Sequence, residues 1–168
     1  MRAFPLLFLL ASAFPLHAAD NPMVHRLLDR WNRSKEYMLR IAAQMPENGY
    51  PFKPSPEEMT FGEQLLHIAN NTEFLTQGLT AKKHTTFDDK HITKESATNA
   101  LAASFDDGAQ AIASLSDADL GNKMVSSDEG QMTALEAIIL AMDHIEHHRG
   151  QCIVYLRVKG IKPVDYVF

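Results

Sequence analysis

Apolar residues recur at three- and four-residue spacing along four separate stretches of this chain. No segment shows the alternation of β-branched and polar residues that a half-buried strand requires. The pattern predicts an all-α, four-helix bundle. Helix one is expected from about Pro22 to Gln44, with Pro22 suited to a first turn and Met45-Pro46 enforcing the stop. Its inward set is Val24, Leu27, Leu28, Trp31, Met38, Leu39 and Ile41. From Met45 to Met59 the prolines at 46, 51, 54 and 56 exclude a helix and predict a long crossover, with Tyr50 and Phe52 packed on the bundle end.

Helix two is predicted from Thr60, which forms a capping box with Glu63, to about Leu79, with Phe61, Leu65, Ile68, Leu75 and Leu79 as its stripe. After the polar stretch Lys82 to Lys90, helix three is expected from about Thr93 to Leu115, locally weakened by Gly108. Ser116 to Gln131 reads as a long polar turn with room for a short extended piece at Met124-Val125. Helix four then runs from a second capping box, Thr133 with Glu136, to about Lys159, ahead of Gly160 and Pro163.

The first twenty residues, MRAFPLLFLLASAFPLHAAD, have a different character. A basic start at Arg2, an apolar run from Phe4 to Phe14 and small residues at Ala18 and Ala19 are the features of a secretory signal, expected to occupy residues 1–19. The run is too short and too proline-broken to span a bilayer, so no stable membrane insertion is expected after cleavage. The remaining 20–168 fits one domain able to bury a single core. An exported, periplasmic or extracellular location follows. Cys152 is the single cysteine, so no intramolecular disulfide can form. The formal charge is −5, and loss of Arg2 makes it −6. With no basic stripe, nucleic acid is not an expected partner. A small-molecule substrate and a homodimer are compatible with the composition.

Candidate chemistry lies in helix four. Side chains four apart on a helix stand roughly 40° apart on one face and one turn apart along the axis. His144 and His148 have that spacing, so both imidazoles can reach one ion. They flank the apolar stripe of Leu135, Ile138, Met142, Ile145, Cys152 and Leu156, on a strip shared with Ala137, Ala141 and Tyr155. His147 points to the polar side. A third ligand must come from another helix, and His67 in helix two is the best placed; His25, His84 and His91 read as surface residues. Cys152 could approach the ion, but its central place on the stripe fits a buried thiol. Three histidines without a cysteine pair suit an open site of the catalytic kind better than a closed structural one. Imidazole does not choose sharply among zinc, nickel, iron and copper. Zinc and nickel lead the divalent candidates, ahead of iron and manganese. Glu73 and Tyr155 are the nearest candidates for a general base, against plainer readings as an exposed Glu and a packing Tyr.

The segment DHIEHHRGQCIVYLRVKGIKPVDY resembles the C-terminal helix of the DinB-like (DinB/YfiT-like) superfamily, in which a histidine four positions earlier pairs with the histidine of HRGQ. YPFKPSPEEMTFGEQLLHIANN is similar to that family's proline-bearing crossover and second helix. The resemblance implies a four-helix bundle with a long first connection and a divalent metal held by His67, His144 and His148. Arg149, Gly150 and Gln151 match the signature without assigned chemistry, and Gly150 is expected to allow close helix packing. Relatives include transferases and isomerases that use small cytosolic thiols. Export would remove the chain from those thiols, so that activity is not carried over. Two functions remain: a metal-dependent hydrolase or transferase outside the cytoplasm, or a non-catalytic metal-binding or interaction module with a structural metal.

Overall fold

The computed structural model describes residues 21–166 other than 81, 84, 89, 128 and 129. The expected signal segment and His84 therefore lie outside the described residues. Four long helices form the body: α1 Pro22–Gln44, α2 Phe61–Gln77, α3 Lys94–Ala113 and, last in the chain, α5 Ala134–Val158. Between α3 and α5 stand a short α4, Asp117–Asn122, and an antiparallel hairpin of β1 Met124–Ser127 with β2 Gly130–Thr133. The stretch expected as a polar turn is thus ordered by backbone pairing, with Val125 opposite Met132. None of the helices among the described residues is long and apolar enough to cross a membrane.

Local chemistry sets most of the helix ends. Thr60 and Glu63 form the expected capping box on α2, and Thr133 and Glu136 do so on α5; Thr93 with Ser96 and Ser116 with Asp119 add two more. The start of α1 is different. Its own N-cap, Asn21, makes no side-chain cap, and the carboxylate of Asp117 accepts from Met23 N at 3.0 Å and Val24 N at 2.9 Å instead. Asn21 returns the contact by accepting from Asp117 N at 3.0 Å. Two helix starts are clamped together across the fold.

The core joins Trp31, Met38 and Ile41 of α1 to Phe61, Leu65 and Ile68 of α2, Leu101 and Phe105 of α3, and Ile138, Ile145 and Leu156 of α5. Gly108 has a packing reason. A Cβ there would stand 2.3 Å from Cζ2 of Trp31, whose indole N–H donates to Phe105 O at 2.8 Å. The weakness expected of this glycine within α3 is what lets the buried indole lie against the helix. In the crossover, Tyr50 is buried and donates its hydroxyl to Ala42 O at 3.0 Å. Backbone bonds Phe61 N to Phe52 O and Gly62 N to Tyr50 O then tie the proline-rich segment to the start of α2. That tie sets the height at which α2 meets α5.

Candidate metal centre

Helices α2 and α5 run antiparallel, and polar pairs cross between them. At one end Tyr155 donates its hydroxyl to Met59 O at 2.5 Å. One turn along, Gln64 meets Gln151 and His148. Next, His67 faces both His144 and His148, with ring centroids 4.9 and 4.6 Å away; the two α5 imidazoles are 4.4 Å from each other. The structure therefore brings together the three histidines singled out in the sequence. One nitrogen from each lies within 4.8 Å of the others, and Nε2 of His67 is 3.1 Å from Nε2 of His144. A tetrahedral ion with nitrogen ligands at about 2.0–2.1 Å would set its donors about 3.3 Å apart. Three such nitrogens could hold a metal ion.

Their environment favours neutral imidazole, the form with a lone pair to give. Burial, followed by the charges of His144, His67 and His147, pushes His148 down to about 3. Burial, followed by His67 and His147, pushes His144 down to about 4. Burial lowers His67 as well, with His147 adding to it. Nδ1 of His144 is buried without a hydrogen-bond partner among the described residues.

Gln64, which sequence reasoning passed over, organises the cluster. It is buried, and its side-chain oxygen lies 2.6 Å from Nδ1 of His148. A carbonyl oxygen can only accept, so Nδ1 carries the proton and Nε2 is left with its lone pair. The Gln64 amide donates to Gln151 Oε1 at 2.7 Å and to the Tyr155 hydroxyl at 3.3 Å. Gln151 in turn donates to Nε2 of the exposed His147 at 2.8 Å. The signal for Gln64 was its place three residues before His67, on the same face of α2.

Other expectations change. Glu73 is buried, not exposed, and it lies six residues beyond His67, about 120° round the helix. Its Oε2 accepts from Thr85 N at 3.3 Å, and burial above all holds its carboxyl above the ordinary range. It lines a small crevice with Thr76, Lys82 and Asp107, away from the imidazoles. Tyr155 is buried and committed to Met59 and Gln64, which makes it a support for Gln64. Gly150 is exposed with nothing within 4 Å of an added Cβ, so close helix packing is not its role. Cys152 is a buried core thiol, pushed up to about 12 by burial. His25 and His91 are exposed.

His67 also forms part of the wall of an open cleft of about 460 Å³, with Met59, Glu63, Leu66, Asn70 and Ile92. Four long helices, a long first crossover and imidazoles converging from two antiparallel helices beside a cleft define a class of helical proteins with three histidines that could hold a metal ion. The sequence pattern of the DinB superfamily matches residues 30–152, and the chain belongs to that superfamily. The uncharacterized protein YjoA of Bacillus subtilis (strain 168) is 25% identical over 144 residues, spanning 84% of this chain and 91% of that one. A DinB-like protein of Bacillus cereus ATCC 10987 superposes with a TM-score of 0.75 at 17% identity, over 85% of this chain and 97% of its own. The crystal structure of YjoA superposes with a TM-score of 0.68 at 16% identity, over 84% and 96% of the two chains. These structures share the all-α fold.

Proposed function

We propose that this member of the DinB superfamily binds one divalent metal ion through His67, His144 and His148, and that it acts as a metal-dependent hydrolase or transferase on a small molecule. The 3.1 Å approach of the His67 and His144 Nε2 atoms, beside a His148 whose Nδ1 is held by Gln64, carries this reading. When bound, a divalent ion acts as a Lewis acid toward a carbonyl or phosphoryl oxygen. The chain's own contribution is to hold three neutral imidazoles in place and to leave one of them, His67, in the wall of a cleft that a substrate can enter. Zinc or nickel suits the all-nitrogen donor set first. The apolar run after Arg2 supports action outside the cytoplasm, and the mass of the mature N-terminus in fractionated cells tests that part.

Elemental analysis of untagged protein is the direct test. One equivalent of metal in the wild type, and its loss in His67→Ala and His148→Ala, is the expected result; unchanged metal content in both variants refutes the assignment. A second reading, a structural metal without catalysis, is favoured by the engagement of both base candidates elsewhere: Tyr155 with Met59 and Gln64, Glu73 with Thr85. Metal-dependent turnover of an ester, amide or thiol-transfer substrate would exclude that second reading. Metal-dependent stability without turnover would establish it.

A further inference from the structure

On the opposite side of α5 from Gln64, a second cavity of about 100 Å³ lies between α1 and α5. Its charged lining is unbalanced. Arg30 and Arg33 of α1 and Arg149 of α5 contribute three guanidinium groups against one carboxylate, Glu146. Neither Arg30 nor Arg33 makes an ion pair among the described residues, whereas Arg149 pairs with Glu146. Arg149 is buried, with its side chain 6% exposed. It donates to Ser34 Oγ at 3.0 Å and lies over the Tyr37 ring at 4.9 Å from the centroid. Ser34, Glu146 and Tyr166, whose side chain also lines the cavity and hydrogen-bonds Arg149, use only part of the five N–H donors of a guanidinium. A buried, oriented arginine with two exposed arginines beside it is an arrangement that holds oxyanions, because the planar fork matches their oxygens.

We propose that this cavity is a binding site for a small oxyanion carrying two charges, of the phosphate-monoester type. The charge count argues for a dianion: three guanidinium groups less one carboxylate leave two positive charges to be met. The volume of about 100 Å³ suits a tetrahedral oxyanion group and excludes a bulky one from entering whole. Arg149 follows His148 directly in the chain, so one helix carries the candidate metal centre on one side and this site on the other. The two assignments stand independently.

The test is thermal denaturation and calorimetric titration of the full protein with inorganic phosphate at pH 7.5, with chloride holding ionic strength constant. Sulfate and acetate are run as separate arms. Saturable stabilisation by phosphate is expected, with half-saturation at least tenfold below that of acetate. Arg30→Gln combined with Arg33→Gln replaces two exposed side chains, leaves the core untouched, and should weaken phosphate binding at least tenfold. Glu146→Gln removes the competing carboxylate and should tighten it, a direction that loss of a structural ion pair does not produce. With metal removed from both proteins, His67→Ala should bind phosphate as the wild type does, which separates this site from the metal centre. A non-saturable response, equal affinity for acetate, or an unchanged response in the double arginine variant would overturn the assignment.

Discussion

Replacing Gln64 by Met keeps the side-chain volume and removes the hydrogen bonds by which Gln64 joins α2 to α5. The side chain is 1% exposed. Its loss leaves the His148 Nδ1–H without its 2.6 Å acceptor and Gln151 Oε1 without its 2.7 Å donor. Each buried group left unsatisfied costs about 1–3 kcal/mol. Discounting Gln151, which can turn towards solvent, the variant should lose about 1–3 kcal/mol. For a domain of this size about 1 kcal/mol corresponds to about 2–4 °C, so Tm should fall by about 2–12 °C. Metal binding should suffer separately. A freed His148 ring can rotate or take the other tautomer, and loss of such a supporting bond typically weakens a metal site about 10–100-fold. Thermal denaturation of metal-free protein measures the first effect, and competition against a chromophoric chelator measures the second. Gln64→Glu, which keeps an acceptor for Nδ1, should restore metal affinity more than stability. If Gln64→Met melts within about 2 °C of the wild type and binds metal equally well, the tautomer-fixing role is wrong.

Three further predictions follow from the same geometry. In metal-free protein, His144 and His148 have folded pKa values of about 4 and 3, below the unfolded value of about 6.5. As pH falls from about 6.5 towards 3 the unfolded chain takes up protons that the folded one refuses, so Tm should drop across that window. The His144→Ala, His148→Ala double variant should show a flatter profile. Gly108→Ala should destabilise by more than about 1 kcal/mol in chemical denaturation, because the new Cβ meets Trp31 at 2.3 Å. Helix propensity alone would give a gain of about 1 kcal/mol, so the sign of the change decides between the two effects. Asp117→Ala should cost about 1–2 kcal/mol by removing the cap of α1, with hydrogen exchange rising first at Met23 and Val24.

What could be read from the sequence was what the chain dictates over a turn or two. The stop at Met45-Pro46, the capping boxes of Thr60 with Glu63 and Thr133 with Glu136, and the apolar stripes all depend on neighbours within about four residues, and each is found in place. The pairing of His144 with His148 belongs to the same class, because helical geometry alone puts them on one face. His67 joined them through likeness to a family, since nothing local links residues 77 positions apart.

The tertiary structure decided the rest, at distances that periodicity does not encode. Only the antiparallel register of α2 on α5 shows that Gln64, an unremarked polar residue, fixes the proton of His148. Only the meeting of α1 with α4 shows that Asp117 caps a helix 93 and 94 residues away. Gly108 reads as a weak point in its own helix, and its use appears when Trp31 arrives from another. Glu73 reads as a surface carboxylate until the segment containing Thr85 folds over it. Helix formation is a local equilibrium of backbone bonds and caps, whereas the identity of a buried partner is settled by how whole helices dock to bury their apolar faces.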